Sequence, residues 1–107
     1  MLVISDVIRG YTDTILLAQL IKNDSYGYEI NKTIQSITHD EFELKESTLY
    51  TAFRRLETSG YIISHWGDEN IGARRRYYTI TDEGKKLYEE NVHDWIRVKD
   101  MIDNLLK

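Results

Sequence analysis

The sequence contains no cysteine and no proline. Without cysteine the chain cannot form disulfides or use a thiolate as a nucleophile, and the absence of proline favours a mostly helical chain with few sharp breaks. The chain also lacks a signal-peptide pattern and an apolar run long enough to span a bilayer, which predicts a cytoplasmic protein without a membrane partner. No glycine-rich phosphate loop is present, so we expect neither an enzyme nor a bound cofactor.

The three histidines, His39, His65 and His93, are scattered along the chain. Glu89 and His93 lie four residues apart and could share one helix face, as two metal ligands do. Two ligands without a third cluster make a weak metal signal, and a solvated helical pair explains the spacing more simply. We therefore predict no metal site and no catalytic residue.

The net charge of −4 is unfavourable for a protein that binds nucleic acid, because phosphate neutralisation needs lysine and arginine. The charge is unevenly distributed. Residues 44–81 contain six basic and four acidic side chains and so carry +2, which leaves −6 for the remaining residues. This contrast permits a local basic face on an acidic body. At 107 residues we expect one domain, or one domain with an extension.

Apolar residues recur at helical spacing over much of the chain. The predicted helices span residues 3–22, 26–37, 46–59 and 82–106. The first is apolar enough to be buried on two sides, against its own domain and against a partner. Ile30, Ile34 and Ile37 form the predicted inner stripe of the second helix.

The third predicted helix has a two-sided pattern. Leu49, Ala52, Phe53 and Leu56 fall on one side at helical spacing. The opposite side is short, hydrogen-bonding and positively charged, and a DNA major groove admits a helix with such a face. The residues of the second and third helices expected to contact DNA are Tyr28, Lys32, Ser47, Thr48, Tyr50, Thr51, Arg54 and Arg55. Taken alone, the pattern is more typical of an ordinary solvated helix surface.

Two β-branched and aromatic runs follow the third helix and predict a hairpin. Its strands span residues 61–66 and 74–81, and its polar, glycine-containing turn spans residues 67–73. Strand alternation sends Arg74 and Arg76 to one side and Arg75 to the other. Arg74 and Arg75 are expected to bind phosphates beside a groove, while Trp66 is expected to pack on the hairpin strand. An edge strand made soluble by charge is the alternative.

The last predicted helix begins after Thr81, a good N-terminal cap that two carboxylates follow. Its length, at about 1.5 Å per residue, is too great to pack wholly on so small a domain. A heptad spacing runs along it through Tyr88, Val92, Trp95, Lys99, Ile102 and Leu106. Apart from Lys99, these residues form an apolar seam, as pairing with another helix requires. We therefore predict a homodimer that presents two recognition helices to a pseudo-palindromic site on double-stranded DNA.

Together these elements predict a mainly α fold with a small β-hairpin. Residues 1–81 would form a winged helix-turn-helix DNA-binding domain, and residues 82–107 would form a C-terminal dimerisation helix. Two other classes of function stay open on the residues alone. One is a module that sequesters a small molecule, and the other is a protein–protein adaptor built on a winged-helix scaffold.

Six motifs, in order along the chain, are similar to those of the PadR-type transcriptional regulators. They are Tyr26-Gly27-Tyr28-Glu29-Ile30, Thr48-Leu49-Tyr50, Arg55-Leu56-Glu57, Gly60-Tyr61-Ile62, Arg74-Arg75-Arg76-Tyr77-Tyr78 and Thr81-Asp82-Glu83-Gly84. The single C-terminal helix resembles the short, multidrug-sensing subclass of that family. The resemblance implies a dimeric winged-helix repressor of a nearby gene. Lys45-Glu46-Ser47 replaces the Ser-Pro-Gly of many members, so the recognition helix is expected to be capped differently.

The resemblance also implies a ligand site at the dimer centre, where Trp95 and its symmetry mate would sandwich a planar aromatic small molecule. The residues expected to line this site are Trp95, Val7, Tyr11, Thr14, Asn91 and Lys99. Lys99 stands where multidrug-sensing members carry an acidic residue one turn after the tryptophan. Without the resemblance, a large aromatic residue in a heptad seam is more often core than ligand platform.

Overall fold

The computed structural model describes residues 1–67 and 74–107. Apart from Gly67, the predicted hairpin turn lies outside the described residues. The elements are α1 (Ile4–Ile8), a 3₁₀ turn (Arg9–Tyr11), α2 (Thr12–Leu20), α3 (Gly27–Ile37), α4 (Glu46–Thr58), β1 (Ile62–Trp66), β2 (Arg76–Ile80) and α5 (Asp82–Leu105). The chain is mainly α with a small antiparallel hairpin, as the sequence predicts.

The prediction of one continuous first helix is wrong, because a 3₁₀ turn separates α1 from α2. Gly10 lies in this turn, and glycine is an unfavourable residue inside a helix. Tyr11, which precedes α2, has φ −114° and ψ 6°, outside the helical region. Thr12 donates its hydroxyl hydrogen to the Arg9 carbonyl at 3.2 Å. The break changes the side to which each residue of α1 points.

The hydrophobic core lies where α2, α3, α4 and the hairpin meet. Its buried side chains are Leu16, Leu17, Leu20, Ile30, Ile34, Leu44, Leu49, Ala52, Phe53, Leu56, Ile62, Tyr78 and Ile80. The inner side predicted for the third helix is therefore confirmed. Ile37, predicted in the inner stripe of α3, is instead 58% exposed, because it is the last residue of α3 and lies beyond the packed turns.

Gly60 ends α4 and directs the chain into the hairpin. Its φ of 82° lies in the left-handed region that favours glycine. The Tyr61 N–H donates to the Leu56 carbonyl at 2.9 Å, and the Gly60 N–H donates to the Glu57 carbonyl at 3.0 Å. These two bonds form the Schellman pattern of a helix C-terminus. The hairpin is thereby fixed directly beside α4.

The hairpin is antiparallel, and Trp66 lies opposite Arg76 in its register. β2 begins at Arg76, two residues later than predicted. Ser25, in the turn before α3, adds an isolated bridge to Tyr78. Its N–H donates to the Tyr78 carbonyl at 3.3 Å, and the Tyr78 N–H donates back at 2.8 Å. This bridge connects β2 to the start of the helix-turn-helix.

α5 begins against the core and then extends past it. The Thr81 hydroxyl accepts from the Gly84 N–H at 3.1 Å, which confirms the predicted cap. Gly84 is buried, and a Cβ added there would lie 2.1 Å from the Tyr61 carbonyl oxygen. The helix has 24 residues, roughly 36 Å at the standard rise. Within residues 1–67 and 74–107, no helix is long and apolar enough to cross a membrane.

Candidate nucleic-acid interface

The angle between α3 and α4 is fixed by hydrogen bonds across the turn at residues 38–45. The Asn31 side-chain amide donates to the Leu44 carbonyl at 2.8 Å and accepts from the Leu44 N–H at 2.8 Å. The Thr38 hydroxyl donates to the Ile34 carbonyl at 2.8 Å and accepts from the Phe42 N–H at 3.1 Å. These bonds give α4 a defined position relative to α3, as a binding site built on a helix requires.

The outer face of α4 is open to solvent along its whole length. The predicted contact residues Ser47, Thr48, Tyr50, Thr51, Arg54 and Arg55 are all exposed. Lys45 lies at the N-cap of α4 and makes no side-chain cap bond. Arg54 makes no ion pair or side-chain hydrogen bond with any described residue. Its guanidinium is therefore available to a ligand, and arginine binds phosphate or guanine in a bidentate way.

Arg55 differs from its neighbour, because it is bound to Asp13 of α2. Its Nε donates to Asp13 Oδ2 at 3.1 Å, and its NH2 group donates to Asp13 Oδ1. The hydrogen bonds to Asp13 raise the pKa of the Arg55 guanidinium above its ordinary value, while burial opposes the shift. Arg55 thus connects α4 to α2 within one chain, although Arg55 and Asp13 lie 42 positions apart in the sequence.

Tyr28 and Lys32 on α3 lie beside the start of α4. The Lys32 Nζ is 5.4 Å from the centre of the Tyr28 ring. Both line a cleft of about 540 Å³ between the two helices, together with Tyr50. A Cβ added at Gly27 would lie 2.9 Å from the Tyr50 hydroxyl oxygen, so the glycine lets α4 approach α3 closely. The structure therefore brings these predicted contact residues onto one surface.

The three arginines of the hairpin lie on two different sides, which confirms the predicted alternation. Arg74 and Arg76 lie over the Trp66 ring, with guanidinium carbons 4.9 and 5.7 Å from its centre. Arg75 lies instead over Tyr26, 4.9 Å from the ring centre. Arg74 and Arg75 are exposed, as the prediction of phosphate contacts requires.

Arg76 is held against α4 by two groups that the sequence analysis did not single out as site residues. Its NH2 group donates to the Ser64 hydroxyl at 2.8 Å and lies 3.5 Å from Glu57 Oε1. Ser64 in turn donates its hydroxyl hydrogen to Glu57. This network places Glu57, the acidic residue of the Arg55-Leu56-Glu57 motif, against Arg76 of the hairpin. The available sequence signal was the position of Glu57, two residues after Arg55 on the third predicted helix.

The model of the PadR-like family of transcriptional regulators matches residues 16–90 of this sequence. This chain belongs to the PadR-like family. A transcriptional regulator from Clostridium thermocellum has 50% sequence identity and a TM-score of 0.90, and the match covers 99% of this chain and 100% of that one. A PadR family regulator from Clostridium difficile has 39% identity and a TM-score of 0.79, with 91% of this chain and 99% of the other covered.

Another similar structure is that of Bacillus subtilis PadR in complex with operator DNA. It has 25% sequence identity and a TM-score of 0.64, and the match covers 78% of this chain and 45% of the longer relative. The winged helix-turn-helix with a C-terminal helix is thus the architecture of this PadR-like chain.

Trp95 of this PadR-like chain lines a cavity of about 290 Å³ between α2 and α5. The lining residues are Ile8, Tyr11, Thr14, Ile15, Ala18, Tyr88, Val92 and Trp95. The Tyr11 and Trp95 rings meet edge to face with centres 5.1 Å apart. Asn91 donates its side-chain N–H to the Thr14 hydroxyl at 2.9 Å. Of the predicted ligand residues, a single chain therefore brings Trp95, Tyr11, Thr14 and Asn91 together.

Val7 and Lys99, also predicted at this site, do not line the cavity of the protomer. Val7 is 65% exposed on α1, because the turn at Arg9–Tyr11 interrupts the helical periodicity that placed it beside Tyr11. Ile8 takes its place in the lining. Lys99 lies one turn beyond Trp95, with its Nζ 3.4 Å from Asp103 Oδ2.

The Glu89–His93 pair lies on the exposed side of α5. In the part of the chain that the structure describes, no group of three or more His, Asp or Glu side chains could hold a metal ion.

Proposed function

We propose that this PadR-like chain is a transcriptional repressor that binds double-stranded DNA as a homodimer at a pseudo-palindromic operator. Residues 1–81 bind the DNA, and residues 82–107 pair the two protomers. α4 enters the major groove, and the hairpin lies beside it on the backbone of the adjacent groove. The proposed DNA contacts are Tyr28, Lys32, Ser47, Thr48, Tyr50, Thr51, Arg54, Arg74 and Arg75, with Arg55 next to them.

The observation that carries this proposal is the outer face of α4. It presents Arg54 without an intramolecular partner among the described residues, next to exposed hydroxyl groups. α4, which carries that face, is held in position by the hydrogen bonds between the Asn31 side chain and the Leu44 backbone. A positioned basic helix face with hydrogen-bonding side chains suits base and phosphate contacts. The Bacillus subtilis relative, which was solved with operator DNA, supports the same use of the fold.

The exposed apolar side of α5 supports the homodimer. Its exposed apolar side chains are Trp95, Ile96, Val98, Met101, Ile102 and Leu105. A helix with a heptad seam buries such side chains against another helix. Two-fold pairing of α5 would place two copies of α4 at a fixed separation, as a pseudo-palindromic operator needs.

We further propose that a planar aromatic ligand binds beside Trp95 at the dimer centre and releases the repressor from DNA, as in the multidrug-sensing subclass. The cavity of one protomer holds about 290 Å³, near the lower limit of roughly 300–1,000 Å³ for small-molecule sites. A second copy related by two-fold symmetry would add a matching half. Trp95 is 41% exposed, so its indole can contact a ligand that enters between the protomers.

The test of DNA binding is a fluorescence-anisotropy titration with the DNA that lies upstream of the coding region. The wild type should bind with an affinity that falls steeply as salt rises, because bound phosphates release counterions. Arg54→Ala should weaken binding by about 1–3 kcal/mol without lowering the unfolding free energy. Absence of salt-dependent binding by the wild type would overturn the proposal.

The ligand proposal is tested by titrating planar aromatic dyes with and without that DNA. A Trp66→Phe background leaves Trp95 as the sole tryptophan, so quenching reports this site. A ligand that lowers the affinity for DNA must bind more weakly to the DNA complex by the same factor. Dye binding that quenches Trp95 but is unaffected by DNA would favour a sequestering module over a ligand-released repressor.

A further inference from the structure

Tyr26 lies in the turn before α3 and packs against the hairpin. Its ring meets the Tyr77 ring edge to face, with the two centres 5.1 Å apart. The residue before it, Ser25, exchanges two backbone hydrogen bonds with Tyr78. The Tyr26 side chain is half-buried as a result. Tyr26 is therefore held between the helix-turn-helix and the hairpin by contacts of both its main chain neighbour and its ring.

Arg75 of the hairpin lies over the same ring. Its guanidinium carbon is 4.9 Å from the Tyr26 ring centre. Its carbonyl oxygen accepts from the Gly67 N–H at 2.7 Å, which fixes its main chain across the hairpin. Arg75 nevertheless remains exposed. The hairpin thus presents this guanidinium to solvent from a defined main-chain position, with the Tyr26 ring beneath it.

The Tyr26 ring stands at the point where α3 meets α4. Gly27 comes directly after it, and a Cβ added at Gly27 would lie 2.9 Å from the Tyr50 hydroxyl oxygen. Tyr28, the next residue, lines the cleft between α3 and α4 together with Tyr50. The ring that carries Arg75 therefore leads directly into the surface of the proposed DNA contacts.

We propose that Tyr26 is a positioning residue for DNA binding, whose ring holds the Arg75 guanidinium in place for a backbone phosphate. The proposal rests on the DNA-binding function given above. A guanidinium over an aromatic face is attracted by the ring quadrupole. Arginine loses side-chain freedom when it binds a phosphate, and prior stacking removes part of that cost.

A double-mutant cycle tests this role with the upstream DNA fragment that the wild type binds. Tyr26→Leu removes the ring and should weaken binding about 2- to 5-fold, in line with an exposed cation–π contact. In an Arg75→Ala background the same change should have less than about a 1.5-fold effect, because the group that Tyr26 positions is absent. A ring that only supports the fold would act equally in both backgrounds.

Two further variants separate the ring from the hydroxyl group and from apolar packing. Tyr26→Phe keeps the aromatic face and should bind DNA within about 1.5-fold of the wild type. Tyr26→Met keeps an apolar side chain against Tyr77 but has no aromatic face. It should repeat the loss seen with Tyr26→Leu, and it takes the place of that variant in the cycle if Tyr26→Leu does not fold.

The salt dependence separates positioning from contact. Arg75→Ala should lower the slope of log affinity against log salt by about one, because a phosphate contact is lost. Tyr26→Leu should leave that slope nearly unchanged, because Arg75 still reaches the phosphate. Ile63→Ala is the matched control, since Ile63 is 56% exposed and pairs with Thr79 at the end of the hairpin away from Arg75. It should change neither the affinity nor the slope.

Three results would overturn the inference. The first is an equal loss from Tyr26→Leu in the wild-type and Arg75→Ala backgrounds, which would make its action independent of Arg75. The second is a loss from Tyr26→Phe as large as that from Tyr26→Leu, which would assign the effect to the hydroxyl group. The third is unchanged or tighter binding by Tyr26→Leu, which would mean that the stacked arrangement does not prepare Arg75 for DNA.

Failure of the proposed function has a different signature. In that case the wild type shows no salt-dependent binding to the upstream DNA, and both proposals fall. Salt-dependent binding by the wild type together with any of those three results overturns only the role of Tyr26. Thermal unfolding of each variant identifies any affinity loss that follows from a destabilised fold.

Discussion

The surface around α4 and the exposed side of α5 differ in how many contacts within the chain hold them in place. The α4 surface is held from three directions, by Asn31 through Leu44, by Asp13 through Arg55, and by the hairpin through Glu57. α5 buries only Gly84 among its described residues. The first surface is therefore held in place within one chain, while the second is the surface that the proposed homodimer would cover.

The two surfaces would therefore have different roles in a transcriptional regulator. A preformed reading surface keeps the ordering cost of DNA binding low. In the proposed homodimer, the apolar side of α5 would determine the separation of two such surfaces, and a change at that seam would alter operator binding without touching the proposed DNA contacts. Differential binding of a ligand to two arrangements of the seam is all that such control requires.

The largest expected effect comes from a substitution that disrupts the exposed apolar side of α5. Ile102→Asp places a charge on an exposed apolar position of the predicted seam. It should dissociate the dimer and weaken operator binding by at least about 100-fold, because the second half-site no longer binds as part of one molecule. Analytical ultracentrifugation measures the dissociation, and anisotropy measures the affinity.

The matched control for Ile102→Asp is Asn104→Asp, which adds the same charge to an exposed position outside the seam. It should leave the dimer intact. If Ile102→Asp remained dimeric and bound DNA normally, this side of α5 would not be the pairing surface.

The second-largest effect is expected from a substitution that removes support from the α4 surface. Asn31→Ala removes both side-chain bonds to Leu44, which should lower the unfolding free energy by about 2 kcal/mol and leave the turn less defined. Urea unfolding measures the loss. Gln35→Ala is the control, since the Gln35 side chain donates to the exposed Glu43 side chain at 2.6 Å, and its loss should cost less than about 0.5 kcal/mol. Equal losses in both variants would contradict the bracing role of Asn31.

Substitution of the adjacent residues Arg54 and Arg55 should separate a loss of DNA affinity from a loss of stability. Arg55→Ala should lower the unfolding free energy by only about 0.5–1 kcal/mol, because its ion pair with Asp13 is largely exposed to solvent. Its effect on DNA affinity should be smaller than that of Arg54→Ala. Asp13→Asn should reproduce the stability loss, and urea unfolding with anisotropy separates the two quantities.

A loss of DNA affinity from Arg55→Ala as large as that from Arg54→Ala, with no loss from Asp13→Asn, would instead make Arg55 a direct contact. The ion pair would then be a resting arrangement that DNA replaces.

The sequence predicted much of this architecture because its determinants are local. Leu49 to Leu56 repeat at helical spacing, Gly60 supplies the left-handed residue that ends α4, and Thr81 caps α5. Arginine alternation in the hairpin also followed from strand geometry alone.

The remaining features depend on contacts between distant residues. The partnership of Arg55 with Asp13 joins positions 42 residues apart, and nothing in the pattern around either residue identifies the other. The break at Gly10 moved Val7 away from the cavity, although apolar spacing alone favoured one continuous helix. One unfavourable residue thus changed which side chains line the Trp95 cavity, and its effect depended on how the turn packs.

The smallest expected effect concerns Tyr78 of the hairpin, which packs beneath the α4 surface. Tyr78 is buried and stacks on Phe53 with ring centres 4.0 Å apart. Burial raises the pKa of its hydroxyl; Arg76 acts in the lowering direction, and Glu57 and Tyr50 in the raising direction. The unfolded chain therefore loses this proton first as pH rises, so the stability is complete below about pH 10 and falls as pH rises through the folded-state pKa.

Tyr78→Phe should reduce this alkaline loss of stability while leaving the unfolding free energy at neutral pH little changed, because the ring can still stack on Phe53. Urea unfolding at a series of pH values measures it, with Tyr28→Phe, an exposed ring, as the control for removal of a hydroxyl. An alkaline decline as steep in Tyr78→Phe as in the wild type would mean that the ring opens to solvent before it ionises. The hairpin would then be held against α4 less rigidly than the contacts of Tyr78 with Phe53 and of Arg76 with Glu57 indicate.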